Sequence, residues 1–462
     1  MKSTINTFFI LALCGLLLQA ACAPVPTATP LAATAAPVQT YSGSLATPSQ
    51  EPSLAQTAEP QELDPVKPPP ALPPADGASE RLVIPDGFAI RIFADALSGK
   101  PRFMSFGPDG SLYVSLMSAG QVIRLPDADK DGLADGMEVV LSGLNLPHGL
   151  EWQGDWLYVA ENDRIERFRS SNGSTSFDER QLITDNLPGG GGHVSRTLHF
   201  GPDGMLYVSA GSSCNVCEES DPRRAAILRF NADGSIPADN PFANDPDPRR
   251  QPVYAWGLRN SVDFLWTPTG SLWANQNGRD NLLDANGLPD DLPPEVIVFP
   301  IQKGGFYGWP YCYWPVLGAD AGQTPQVDDA QSGLRLPAGL DCAQAGAALF
   351  SDLAHSAPLG MEIAPQGNFP SEYQDDLYVA YHGSWNVRNP ESFRDCKVVR
   401  VVIQNGMPMY SEDFINGWRE PGKTCGDASA YGRPADVVFG PDGAMYVSDD
   451  AAGRIYRVIF TN

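Results

Sequence analysis

The chain has 462 residues, of which 42% are hydrophobic, 45 are Gly and 43 are Pro, and its formal net charge is −24. This composition is globular and turn-rich, and no long window carries the periodicity of a helical bundle. The charge disfavours nucleic acid and anionic headgroups as partners, since both need clustered Lys and Arg, and leaves a small neutral or cationic ligand.

At the start, Lys2 precedes an apolar run from Phe8 to Ala21 that is too short to span a bilayer comfortably, the pattern of a secretory signal over residues 1–21. The run closes on LLLQAAC, which resembles a bacterial lipobox and makes Cys22 the expected lipidated first residue of the mature chain; simple cleavage and release is the alternative. Residues 22–80 are rich in Pro, Ala, Thr and Ser and hold almost no large apolar side chains. Such a segment cannot bury a core and reads as a disordered tether. An exported domain, residues 83–462, would then be held at a membrane through the lipid anchor alone.

Within that domain FGPDGSLYVS occupies Phe106 to Ser115, and close copies return at Phe200 to Ser209 and Phe439 to Ser448. Pro-Asp-Gly is tight-turn chemistry, and the aromatic and β-branched run after it suits a strand, so each copy predicts a hairpin. Looser versions begin at Leu150, Leu265 and Ile363. Six recurring hairpins predict an all-β fold, a six-bladed β-propeller. A sandwich sharing a common turn is the alternative, but sandwiches have no need for their turns to recur.

After the first copy, residues 127–138 read DADKDGLADGME. Asp127, Asp129, Asp131, the Leu133 carbonyl, Asp135 and Glu138 fall at the liganding positions of a calcium loop, with Gly132 at the sharp turn. VIRL before and VVL after are strand-like, so this is the loop without its helices, a structural Ca2+ site or else a merely acidic solvated turn. Its own residues fill the coordination sphere, which makes it a poor candidate for catalysis.

Candidate chemistry lies in later loops. NLPGGGGHVSRTLHF puts His193 after four glycines, where backbone can approach a ligand and an imidazole can act as a base; a purely structural His is the competing reading. WGLRN supplies Arg259 and Asn260, NQNGRD supplies Gly278 and Arg279, YHGSWN supplies His382 and Trp385, and GRPADV supplies Arg433, all near predicted strand ends. Six cysteines remain in the domain: Cys214, Cys217, Cys312, Cys342, Cys396 and Cys425. An even number in an oxidising compartment points to three disulfides, and neighbouring pairs close the shortest loops, although spacing leaves the connectivity open. CNVC could instead be redox-active or half a metal site.

Together, PDGFAIRIFADAL, ILRFNADGSIPADNPF, YAWGLRN, GGFYGWPYCY, AHSAPLG and HGSWN resemble the soluble sugar dehydrogenases dependent on pyrroloquinoline quinone (PQQ), six-bladed propellers that use PQQ and calcium, and among them the L-sorbosone and pyranose dehydrogenase branch. The resemblance implies His193 as the general base, Arg259, Asn260 and Arg433 against the cofactor, and the backbone carbonyls of Gly278 and Arg279 on a cofactor-associated Ca2+. It places His148, in LPHGL, on the substrate side. Departures from the family pattern are Gly192 and Ser212 in place of acids, Ala435 in place of a second Arg, and no counterpart of a cofactor-binding Lys, whose wall falls to His382 or Trp385. The implied activity is oxidation of an aldose, polyol or sugar aldehyde, with electrons leaving to an external acceptor, a cytochrome or a quinone. The alternatives are a non-catalytic carbohydrate-binding propeller and a lactonase-type metal hydrolase, the latter needing carboxylates around the channel.

Overall fold

The computed structural model describes residues 71–461 apart from 172–174, 316, 319–324 and 368; the expected signal, Cys22 and the tether up to residue 70 lie outside the described residues. Six four-stranded antiparallel sheets form six blades, in the order the repeats predict. Their first strands are Pro101–Phe106, Leu150–Gln153, Leu198–Phe200, Phe264–Trp266, Pro358–Ile363 and Pro434–Phe439. These touch their counterparts in neighbouring blades and so line the central channel. The sixth blade takes its outer strand from the other end of the domain: Phe88–Ala94 pairs with Arg454–Phe460, which closes the ring.

The repeated decapeptide has a physical cause. Its second Gly takes a positive φ (78° at Gly110, 72° at Gly204, 90° at Gly443), as the turn requires. Its Asp caps the turn, Asp203 accepting from the Met205 amide at 3.1 Å and Asp442 from that of Ala444 at 3.2 Å. The same carboxylates accept from Tyr207 and Tyr446 on the second strand, and they pair with Arg229 and Arg457 on the third at 2.8 and 2.7 Å. Asp109 pairs with Arg124 in the first blade, and Asp376 with Arg400 in the fifth. Turn, second strand and third strand are thereby joined by one acid. The closing Ser laces blades together: Ser115 Oγ donates to the His148 carbonyl at 2.8 Å, and Ser448 Oγ to that of Arg102 at 2.6 Å.

The domain begins earlier than the sequence suggests. Asp76 caps the short helix Gly77–Arg81 and accepts the Ile92 amide, while the carbonyls of Ala71 and Pro73 accept from Arg457 and Arg91. Residues 71–80 therefore pack on the sixth blade instead of extending the tether. Polar caps hold them there, which a composition-based boundary does not register. Three disulfides join Cys214 to Cys217, Cys312 to Cys342 and Cys396 to Cys425, the shortest-loop pairing. Among the described residues, no helix is long and apolar enough to cross a membrane.

Candidate active site

The inner strands all start at one end of the channel, and eight of the sequence-predicted residues collect there. Arg259, Asn260, His193 and Arg433 precede inner strands; Gly278, Arg279, His382 and Trp385 follow the second strands Leu272–Gln276 and Leu377–Tyr381.

His193 is held by its own loop. Its Nδ1 lies 2.9 Å from the Ser212 carbonyl, so Nδ1 carries the proton and Nε2 keeps its lone pair. Burial, reinforced by the nearby Arg259 charge, pulls its pKa down to about 4, so the ring is neutral near pH 7. Gly211 lets His193 and Asn260 meet: a Cβ there would lie 2.5 Å from the His193 Cβ and 2.6 Å from Asn260 Oδ1. Ser212, which departs from the family's acid, thus anchors the His193 ring.

The Arg259 guanidinium is buried. Nε and Nη2 donate to the backbone carbonyl and Oδ1 of Asn215, both at 2.9 Å, and Nη2 lies 3.4 Å from Asp280 Oδ2. Asp280 also accepts from Asn386 at 2.6 Å and faces His355 Nδ1 at 3.5 Å. The Arg279 side chain turns away to Asp328, 2.6 Å distant and equally buried. Among the described residues no hydrogen bond reaches the carbonyls of Gly278 or Arg279. Beneath them Glu295 accepts the amides of Gly278 and His355, and burial pushes its carboxyl up to about 7.

On the other side of the mouth, Arg433 donates from Nε to the His382 carbonyl at 2.8 Å and from Nη2 to that of Gly383 at 3.1 Å, and Nη1 has no partner among the described residues. His382 Nε2 lies 2.7 Å from Asp450, which also binds Arg102 at 2.7 Å. Burial alone would raise the Asp450 carboxyl, but His382 and Arg102 outweigh it and hold it far below the usual range. His382 therefore orients neighbours from within the wall, whereas Trp385 is 69% exposed at the rim.

Two expectations need correction. His148 has no exposed surface, and its ring packs 4.2 Å from that of Phe103 with Nδ1 facing Thr197 Oγ1. The next residue, Gly149, sits so close to Arg196 and Leu198 that the His148 ring is carried into the channel core, where it touches no open surface. In the 127–138 loop Gly132 has φ +87°, and the carboxylates of Asp127, Asp129 and Asp135 lie within 4.8 Å of one another. Asp131, however, accepts the Leu133 amide, and Glu138 opens a strand and binds Arg124 at 2.9 Å, on the other side of that guanidinium from Asp109. Sequence reasoning missed Asn215, Asp280, Glu295 and Asp450. Asn215, Asp280 and Asp450 lie in turn-like polar stretches that read as solvated loop, and Glu295 opens the apolar strand Glu295–Ile301, where a first-position acid reads as a strand end; only the NGRD run, which sets Asp280 beside Gly278, offers a signal.

Fold and mouth together define a six-bladed propeller with a polar, cation-walled site at one end of its channel. A family model described as TrAA12-like matches residues 82–460, and the chain belongs to that family. It is 23% identical over 411 residues to a pyrroloquinoline quinone-dependent pyranose dehydrogenase of Coprinopsis cinerea, covering 81% of this chain and 54% of that protein. It is 25% identical over 274 residues to an aldose sugar dehydrogenase of Escherichia coli, covering 58% and 60%. The chain thus spans little more than half the length of either relative. The solved holo PQQ domain of the Coprinopsis cinerea pyranose dehydrogenase superposes with a TM-score of 0.64 at 22% identity, over 82% of this chain and 97% of that one, a likeness of fold.

Proposed function

We propose that the chain is a quinoprotein dehydrogenase that oxidises an aldose, polyol or sugar aldehyde with PQQ and passes the electrons to an external cytochrome or quinone. The observation that carries this reading is His193: a neutral imidazole, its Nδ1 proton fixed on Ser212 and its Nε2 lone pair free, beside Asn260 and the Arg259 guanidinium.

The residues present fit the cofactor. A flat tricarboxylate needs cations, and the buried Arg259 and the part-free Arg433 supply them from two sides. The carbonyls of Gly278 and Arg279, which no donor in the described residues reaches, would hold a Ca2+ beside it. When bound, PQQ supplies the two-electron acceptor that no side chain of this chain can provide. His193 Nε2 takes the hydroxyl proton of the sugar, Ser212 holds the ring in the tautomer this needs, and Asn260 orients the substrate oxygen. Arg259 and Arg433 steady negative charge at the mouth, where burial strengthens their field.

Two observations weigh for this reading over a scaffold propeller. Ala435 is buried with Phe103, Val262 and Leu359 as an apolar plug across the channel, so its size is explained by packing. Ser212 has the anchoring task described above. Against a metal hydrolase, Asp280, Glu295 and Asp450 are each engaged by named donors, and their ligating atoms do not cluster. A second, structural Ca2+ would bind Asp127, Asp129 and Asp135 with the Leu133 carbonyl, Glu138 leaving Arg124 to join them. Export and anchoring through Cys22 belong to the same proposal and rest on the leader sequence alone.

The test is steady-state turnover of the purified chain on a panel of aldoses, polyols and sugar aldehydes with an artificial electron acceptor. Saturable acceptor reduction that requires both PQQ and Ca2+ is expected. Acceptor reduction by no member of the panel would overturn the proposal.

A further inference from the structure

The CNVC loop is not absorbed by this account, yet it touches every part of the site on its side of the mouth. Asn215, its second residue, makes five hydrogen bonds. The backbone carbonyl accepts from Arg259 Nε at 2.9 Å and Trp309 Nε1 at 3.2 Å. Oδ1 accepts from Arg259 Nη2 at 2.9 Å and the Asp280 amide at 2.8 Å, and Nδ2 donates to the Asp280 carbonyl at 2.9 Å. Next to it, the Cys214 carbonyl accepts from Ser212 Oγ at 2.7 Å, the residue that anchors His193. One four-residue ring thus fixes the guanidinium, the corner after Gly278 and Arg279, and the support of the base.

The bridge that closes this ring differs from the other two. It spans a sequence separation of 3, against 30 and 29. Disulfide stabilisation grows with the loop closed, so this one restrains the unfolded chain least and its effect is local. It is also the accessible one: Cys214 and Cys217 are partly exposed, while Cys312, Cys342, Cys396 and Cys425 are 7%, 2%, 0% and 1% exposed. A dithiol in solution reaches the first pair and not the others.

We propose that Asn215, held in place by the Cys214–Cys217 disulfide, is the positioning residue for Arg259 and the 278–280 corner, and that opening this disulfide weakens cofactor binding. This rests on the PQQ reading above. In the opening step a thiolate of a small dithiol attacks one sulfur and displaces the other. The second thiol of the reagent then closes its own disulfide ring, so the dithiol loses two electrons and two protons and Cys214 and Cys217 leave as thiols. With its loop open, Asn215 no longer has to face both partners, and the Arg259 guanidinium keeps only the longer contacts to the Asn277 carbonyl at 3.3 Å and to Asp280 at 3.4 Å.

Two readouts test it on the full chain: calorimetric titration of PQQ with Ca2+, and hydrogen exchange at the Asp280 amide, which needs no cofactor. Dithiol treatment, the Cys214→Ser/Cys217→Ser pair and Asn215→Ala should each weaken PQQ binding by about tenfold or more, the loss of hydrogen bonds to a buried charge. All three should speed exchange at Asp280, while the melting temperature stays close to that of the wild type after dithiol treatment and in the Ser pair, both of which keep Asn215, and the Ser pair ignores the dithiol. Unchanged affinity and exchange in the reduced protein and in Asn215→Ala would overturn the inference and leave the quinoprotein reading intact. No PQQ binding by the oxidised wild type would overturn that reading, and the cofactor role of the clamp with it.

Discussion

The two ends of the channel hold similar residue types and use them differently. Where the inner strands end there is a cavity of about 610 Å³, with Glu151, His199, Asp263, Glu362 and Asp436 in its wall. Its acids complete the fold. Asp263 accepts the Met361 amide at 2.8 Å, Glu362 that of Phe439 at 2.9 Å, and Asp436 that of Met104 at 2.8 Å, each reaching from one blade to the inner edge of the next. His199 bridges Glu151 of the second blade at 2.7 Å and Asp263 of the fourth at 3.2 Å. An inner strand has an unpaired edge, and these side chains satisfy it. At the opposite mouth, beyond the plug of Phe103, Val262, Leu359 and Ala435, the groups that find no partner among the described residues include His193 Nε2, Arg433 Nη1 and the carbonyls of Gly278 and Arg279. The acids of this cavity hold blades together, whereas the proposed chemistry lies at the mouth whose charged groups keep free donors and acceptors.

That contrast can be broken from either side. The largest expected effect is at the upper mouth, where His193→Ala should lower kcat by about 10²- to 10⁴-fold, the range for loss of a general base. Its melting temperature and PQQ affinity should stay near those of the wild type, and a variant with near wild-type kcat would sink the assigned role. Asp263→Ala at the lower end should do the reverse. It removes one of the two carboxylates that His199 bridges and leaves the buried Met361 amide without its acceptor, costing about 1–3 kcal/mol in denaturant unfolding while kcat holds; a selective loss of kcat would show that the lower end takes part in turnover.

The pH dependences should separate in the same way. Burial lifts the Glu362 carboxyl from its ordinary 4.5 to about 8, and the carboxylates of Glu151 and Asp263 outweigh burial to hold the His199 imidazolium well above its usual range. Both groups have raised folded-state values, so the stability they contribute is present at low pH and is lost as pH rises through those values. Thermal melts should therefore show wild-type stability falling from about pH 5 towards pH 8, with a shallower slope in Glu362→Gln, which keeps the acceptor for Phe439. His193 has a lowered value of about 4, so its activity limb should appear only as pH drops towards 4. The smallest effect belongs to the 127–138 loop, where Asp129→Asn should abolish the shift in melting temperature that Ca2+ produces and leave turnover alone.

How much of this was legible in the sequence depends on whether a residue acts through its own turn or across blades. The blades were readable because Asp109, Asp203 and Asp442 cap turns written in ten consecutive residues, so the physics is local. His193, Arg259, Asn260 and Arg433 were readable because glycines and short motifs flank them. Asn215, Asp280 and Asp450 were not, since their partners lie 44, 21 and 68 residues away in hydrogen bonds made only when separate loops converge at the mouth. His148 was misplaced because LPHGL says nothing of Gly149 pressing against the third blade.

The measurement that bears most directly on the central claim is a calorimetric titration of PQQ into the wild-type chain with Ca2+, repeated in EDTA and with Arg259→Ala. The account predicts saturable binding of about one cofactor per chain, lost in EDTA and weakened by about 1.5–3 kcal/mol without the guanidinium, as for hydrogen bonds to a charged group. Absence of binding, or binding that ignores both Ca2+ and Arg259, would contradict it.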